Sequence, residues 1–214
     1  MTEDRRALIA AQLRELGHEF VAHDLSDATL DALESAVRIL LPLVREEPIR
    51  EWVPRIDLAE RVELPIPDES AASASLAFAH SLVAGGSNPM GLGAKLWREG
   101  DIAAMRVTLG RAFEGAPGRS HGGVIASLAD ETMGLAASMN GAFGLTANLS
   151  ITYRAAAPLN EPITARGWIS SRDGRKIHLA ASITSGDLVI AEATALFITI
   201  EPESLRDGGR RADV

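Results

Sequence analysis

Cysteine is absent from all 214 residues, which excludes a disulfide framework, a thiolate metal site and a cysteine nucleophile together. Aromatic residues are scarce, 4% of the chain with a single tyrosine, so the core must be aliphatic and small. No run of 18 apolar residues occurs, and the opening Met-Thr-Glu-Asp-Arg-Arg lacks the apolar centre of an export signal. The expectation is a soluble cytoplasmic protein without a membrane span. A basic excess is also missing. The net charge is −8, and all the surplus acid is N-terminal: residues 1–70 hold 16 acids against 8 Lys/Arg, whereas residues 71–214 hold 13 of each. An acidic chain without a basic stripe is a poor partner for nucleic acid or an anionic membrane, and a polyanionic small molecule would need a local basic cluster.

What is present divides unevenly. Residues 4–22 read as an amphipathic helix with Ile9, Leu13, Leu16 and Phe20 on one face. Ser26 or Asp27 caps a second helix with Leu30, Leu33, Val37, Leu40 and Val44 as its stripe, in which Pro42 should kink the helix or start a new turn. The pair is expected to form a solvated helical hairpin with one buried face, the alternative being an arm that packs on the domain or on a partner. Prolines 48, 54, 65 and 67 among charges make residues 48–70 an extended connector. The expected division is an N-terminal extension and linker over 1–70, a main domain over 71–201 and a disordered tail over 202–214. Strand patterns occupy Ala94–Arg98, Ile102–Leu109, Leu145–Tyr153, Pro162–Arg172, Lys176–Ser185 and Leu188–Ile200, with hairpin turns at Asp173-Gly174 and Ser185-Gly186-Asp187. In the strand after the helix, Leu145, Leu149, Ile151 and Tyr153 alternate with Thr146, Asn148 and Ser150, so period two places Thr146 on the polar face.

Between the second and third strands, Val124–Met139 is apolar or small almost throughout, the composition of a helix buried on all sides. Asp130 and Glu131 stand in its middle, although Asp is a mediocre helix former and costly to bury. Ser120 offers an N-cap, and Gly122 and Gly123 let another chain or a ligand approach the first free amides, which attract an anion or a developing oxyanion.

These residues carry a resemblance. His121-Gly-Gly followed by Asp130 nine residues later, with Asn88-Pro-Met-Gly before it and Thr146-Ala-Asn-Leu, Tyr153-Arg, Pro158-Leu and Gly174-Arg-Lys176 after it, resembles the hotdog-fold acyl-CoA thioesterases of the PaaI-like type. Within that group it is similar to thioesterase superfamily member 4-type enzymes, and it covers roughly Asn88 to Ile200; the N-terminal arm has no matching motif. The resemblance agrees with the pattern of one apolar helix among five or six antiparallel strands, an α+β fold whose sheet wraps around the helix, here with an N-terminal helical extension. It implies an acyl-CoA substrate. It also implies Asp130 as general base or nucleophile, the Gly122 amide polarising the thioester carbonyl, Thr146 assisting, and Lys176 binding the nucleotide. His121 either orients the loop or hydrogen-bonds the thioester. Gly123, Asn148, Arg154 and Arg175 complete the expected substrate-binding set, the cations suiting the phosphates of coenzyme A. No cofactor is implied, and the histidines show no ligand spacing, so no metal is expected.

Helix geometry adds a requirement. Gly122 and Asp130 are eight residues apart, about 12 Å along a helix, so one helix cannot present both to one carbonyl. If both act, they come from two chains related by a two-fold axis, in a homodimer or dimer of dimers with sites at the subunit interface. Two other readings compete. One is a non-catalytic acyl-CoA-binding hotdog protein. The other is a serine hydrolase using Ser120 in Gly118-Arg-Ser-His-Gly122; it lacks a strand before the serine and leaves only His178 as a following base.

Overall fold

The structure is a computed structural model that describes residues 2–50, 66–71 and 79–200. Two helices, α1 (Thr2–Ala22) and α2 (Asp27–Glu46), precede β1 (Lys95–Glu99), β2 (Ile102–Thr108), α3 (Gly122–Met139), β3 (Gly144–Tyr153), β4 (Pro162–Asp173), β5 (Lys176–Ser185) and β6 (Leu188–Thr199). The strands form one antiparallel sheet in the order β1-β2-β4-β5-β6-β3, and α3 packs across its inner face against β2, β3, β4, β5 and β6. The sequence patterns thus place every strand to within a residue or two. Gly174 and Gly186 turn the β4–β5 and β5–β6 hairpins at φ +54° and +55°, a backbone region that costs glycine nothing.

Small residues let α3 lie close to the sheet. A Cβ on Gly167 of β4 would stand 3.1 Å from the backbone carbon and oxygen of Thr132, so the helix backbone rests on that glycine. Around this contact Leu128, Met133, Met105, Ile163, Leu179 and Ile183 are fully buried, each side chain contributing about 1.5–3 kcal/mol. The first edge strand is tied across its neighbour: Arg166 of β4 reaches over β2 and forks onto both Glu99 oxygens at 2.8 and 3.0 Å. That hydrogen bonding holds the Glu99 carboxyl below the usual range. Before β1, Asp68 bridges Arg98 and Glu69 pairs with Arg106, so the end of the expected connector lies against the sheet.

Four expectations are corrected. Of the two outcomes expected of Pro42, a fresh start of the helix is not found: α2 continues through it to Glu46. The helical pair does not bury one face: α2 has no buried residue, and Ile9, Leu13, Leu16 and Phe20 of α1 are all exposed. Instead α1 docks alone, with Ala10 buried, Arg14 donating to the carbonyls of Gly86 (3.3 Å) and Asn88 (2.7 Å), and His18 accepting the Ala112 N–H at 3.2 Å. The third correction is that α3 is not buried all round. Half of its residues are buried, while Asp130, Glu131, Gly134 and Ser138 form a partly open flank. The fourth concerns β3 and decides the site. The expected tail over 202–214, with part of the connector, lies outside the described residues.

Candidate active site

Strict alternation puts Thr146 on the opposite face of β3 from Leu149 and Ile151. The β3–β6 register slips between Thr146 and Asn148, so Thr146 lies opposite Phe197 whereas Asn148 lies opposite Leu196. This bulge resets the period. Thr146 therefore shares the inner face with buried Phe197, and Leu149 and Ile151 return to that face after the bulge, opposite Ala195 and Ala193. Period two cannot see such a residue, and Thr146 is not on the outer polar face.

The consequence is a contact. Thr146 Oγ1 donates to Asp130 Oδ1 at 2.8 Å, leaving the second carboxylate oxygen unengaged among the described residues. Asp130 is half-buried and stands on the wall of a cavity of about 250 Å³ lined on its apolar side by Leu96, Met105, Leu135, Phe143 and Phe197. Its neighbour Glu131 has a different task. Glu131 accepts the Ser81 hydroxyl and the N–H groups of Val83 (3.1 Å) and Ala84 (2.8 Å), clasping the segment that brings Ser81 and Ala84 to the same cavity. Sequence reading found the Asp–Glu pair but not this division of labour, because all three partners of Glu131 come from about fifty residues upstream.

A second cluster forms at the start of α3. The N-cap is His121 rather than Ser120: His121 Nδ1 accepts the Gly123 N–H at 3.0 Å, and its carbonyl accepts from Val124. Of the first three amides, Gly122 N–H alone has no partner among the described residues. Tyr153, at the far end of β3, donates its hydroxyl to the Gly122 carbonyl at 2.8 Å and lies 3.2 Å from where a Gly122 Cβ would be. The sequence marked Tyr153 only as part of a motif. Ser120 Oγ is buried without a hydrogen-bond partner among the described residues, which include every histidine, so no histidine activates it.

Within one chain these clusters do not converge. Neither Gly122 nor His121 lines the cavity that Asp130 and Thr146 share. Asn148, in register with Leu196 and exposed His178, falls on the outer face. Arg154 pairs with Glu192 at 2.8 Å, Arg175 reaches the Thr199 carbonyl at 3.4 Å, and Lys176 lies in register with Ile198 and Leu145. The expected phosphate-binding residues therefore sit on the outer face or at the β4–β5 turn, away from Asp130 of their own chain.

An antiparallel sheet wrapped around one long helix, with a carboxylate–hydroxyl pair beside an apolar cavity, is a hotdog domain. Residues 118–192, from the turn before α3 into β6, match the model of the thioesterase superfamily. Over 96 residues it is 40% identical to the acyl-coenzyme A thioesterase THEM4 of Mus musculus, and over 95 residues 37% identical to that of Xenopus laevis. These matches take in 44% of this chain and 41% and 43% of the two relatives, so the chain spans about two fifths of their length. The crystal structure of a thioesterase superfamily protein superposes with a TM-score of 0.74 at 27% identity over 90% of both chains. Residues 51–214 make up only about three quarters of the chain, so that likeness extends into the helical arm.

Among the described residues no helix is long and apolar enough to cross a membrane.

Proposed function

We propose that the protein hydrolyses the thioester of an acyl-CoA to the free acid and coenzyme A. The observation that carries this reading is the Thr146–Asp130 hydrogen bond at the wall of an apolar cavity; the 40% identity over 96 residues to an acyl-coenzyme A thioesterase supports it. The Thr146 hydroxyl holds one carboxylate oxygen and leaves the other to take a proton from water or to attack the acyl carbon itself. In the first route the water oxygen bonds to the acyl carbon and the carbonyl electron pair moves onto its oxygen. The tetrahedral intermediate then collapses, the C–S bond breaks and the thiolate leaves with the electron pair, so no strong acid is needed. The acyl chain fills the cavity lined by Met105, Phe143 and Phe197.

The oxyanion needs a donor, and the open Gly122 N–H at the positive end of α3 is suited to that. It comes from a second copy. β3 is an edge strand with an unpaired side, and two β3 strands pairing antiparallel about a two-fold axis would join the sheets. Thr146 near one end of β3 holds Asp130, and Tyr153 at the other holds Gly122. Antiparallel pairing brings Tyr153 of one copy towards Thr146 of the other, and with it the Gly122 amide towards Asp130. Each homodimer then has two sites, and the cations on the outer face and at the β4–β5 turn, Lys176 foremost, are the candidates for the phosphates of coenzyme A.

The test is a panel of acyl- and aryl-CoA esters with free-thiol detection on wild type and Asp130→Asn. The expected result is turnover by wild type and a loss in kcat of about 10²–10⁴ in the variant, the range for removing a positioned acid or base. Full activity of Asp130→Asn would overturn the mechanism, and binding of CoA esters without turnover by wild type would make the protein a sensor.

A further inference from the structure

The exposed arm is the part of the molecule that thioester chemistry leaves without a task. α1 is fixed to the domain through Ala10, Arg14 and His18, but no described element packs along α2. Seven large apolar side chains of α2 are more than 40% exposed. Six of them, all but Ile39 on the far side, lie on one stripe or the flank beside it; at roughly 90 Å² each they present on the order of 500 Å², above the few hundred Å² usual on a monomer and a large part of the ~800 Å² that a standard interface takes from each partner.

The pattern on α2 says what covers it. At about 100° per residue, Leu30, Leu33, Leu41 and Val44 all lie within about 40° of Val37. They are spaced symmetrically about it, at seven and four residues on either side. A stripe that reads the same in both directions from its centre is self-complementary in an antiparallel pair. The charges agree. Asp27, Asp31, Glu34, Arg38 and Arg45 all fall on one flank of the stripe, the acids in the first half of the helix and the arginines in the second. The opposite flank carries Thr29, Ala36, Leu40 and Leu43. A two-fold axis at Val37 brings like flanks together with their directions reversed. Arg45 of one copy then lies between Asp27 and Asp31 of the other, and Arg38 beside Glu34 of the other, each within about two residues or 3 Å along the axis.

We propose that α2 pairs antiparallel with α2 of a second copy of this chain about a two-fold axis through Val37. A lipid surface fits less well, because helices that lie on membranes carry Lys/Arg on their polar face and α2 has four acids against two arginines. The pairing is independent of the thioesterase reading. Its axis is distinct from that of the β3 pairing, so it joins single chains into a dimer or β3-paired dimers into a tetramer, and breaking it halves the mass in either case.

The absence of cysteine makes the test direct. Val37→Cys in the full chain is expected to form a disulfide-linked dimer on mild oxidation, because the axis places residue 37 against itself. Leu30→Cys and Val44→Cys should each stay unlinked alone and cross-link when mixed. Val37→Glu should halve the mass measured by light scattering with helix content unchanged. Arg45→Glu should weaken association at least tenfold, and adding Asp27→Arg and Asp31→Arg should restore it. Self-linking of Leu30→Cys would mean parallel pairing and overturn the proposal. So would a Val37→Cys that stays unlinked, a Val37→Glu of wild-type mass, or α2-dependent pelleting with phosphatidylcholine vesicles in place of self-association.

Discussion

At the scale of single residues, the consecutive acids of α3 face different duties. Asp130 offers one free oxygen to the cavity, whereas Glu131 spends both of its oxygens on Ser81, Val83 and Ala84. Glu131→Gln replaces one of the two acceptor oxygens with a donor, which then faces the N–H of either Val83 or Ala84, so it should cost about 1–3 kcal/mol in denaturant unfolding, as expected for a charge-assisted acceptor that loses a partner. A Glu131→Gln protein of unchanged stability would show that the clasp is incidental. Asp130 was legible in the sequence because a carboxylate in an apolar helix stands out by composition alone. The side on which Thr146 lies was not, since one bulge residue reverses it and leaves no mark in the pattern of residue types.

At the scale of elements, α1 is held to the domain partly by a titratable contact. Burial holds the His18 pKa below the ordinary histidine value, with Arg14 acting in the same direction and Glu19 against it. Its Nδ1 must be unprotonated to accept the Ala112 N–H. Phe113 packs edge-on against the ring, and Arg111 and Glu114 are the charged groups on the segment that α1 meets. The folded pKa is below the unfolded one, so the contribution is fully present above about pH 6.5 and is lost as pH falls through the folded value. Hydrogen exchange in α1 should accelerate between pH 7.5 and pH 5 beyond the intrinsic rate, and His18→Gln should abolish that extra dependence; equal protection at both pH values would refute it. The helices and strands themselves were legible from periodicity and turn residues. The arm was misjudged because a hydrophobic stripe records that a face is to be covered, not which chain covers it.

At the scale of the whole molecule, the proposed site is divided between copies. An Asp130→Asn chain mixed with a Gly122→Pro chain should regain roughly a quarter of wild-type turnover, since random exchange makes half the dimers mixed and each mixed dimer restores one of two sites. The proline removes the Gly122 N–H and also presses on the Tyr153 hydroxyl, so folding of that chain is checked by circular dichroism. Verified heterodimers without turnover would mean that the two groups act within one chain or that one of them does not act.

The sequence by itself determined what is local and compositional: the helices, the strands and their hairpins, the carboxylate in the apolar helix, the bare glycines at its start, and the 12 Å that separates them. Tertiary structure alone decided which groups meet. Side-chain facing along a strand depends on register, and register is set by pairing with a neighbour, so the β3–β6 bulge brought Thr146 to Asp130. The partners of Glu131 and the tie between Tyr153 and Gly122 are likewise long-range contacts, chosen by how the sheet closes around α3 rather than by any spacing along the chain.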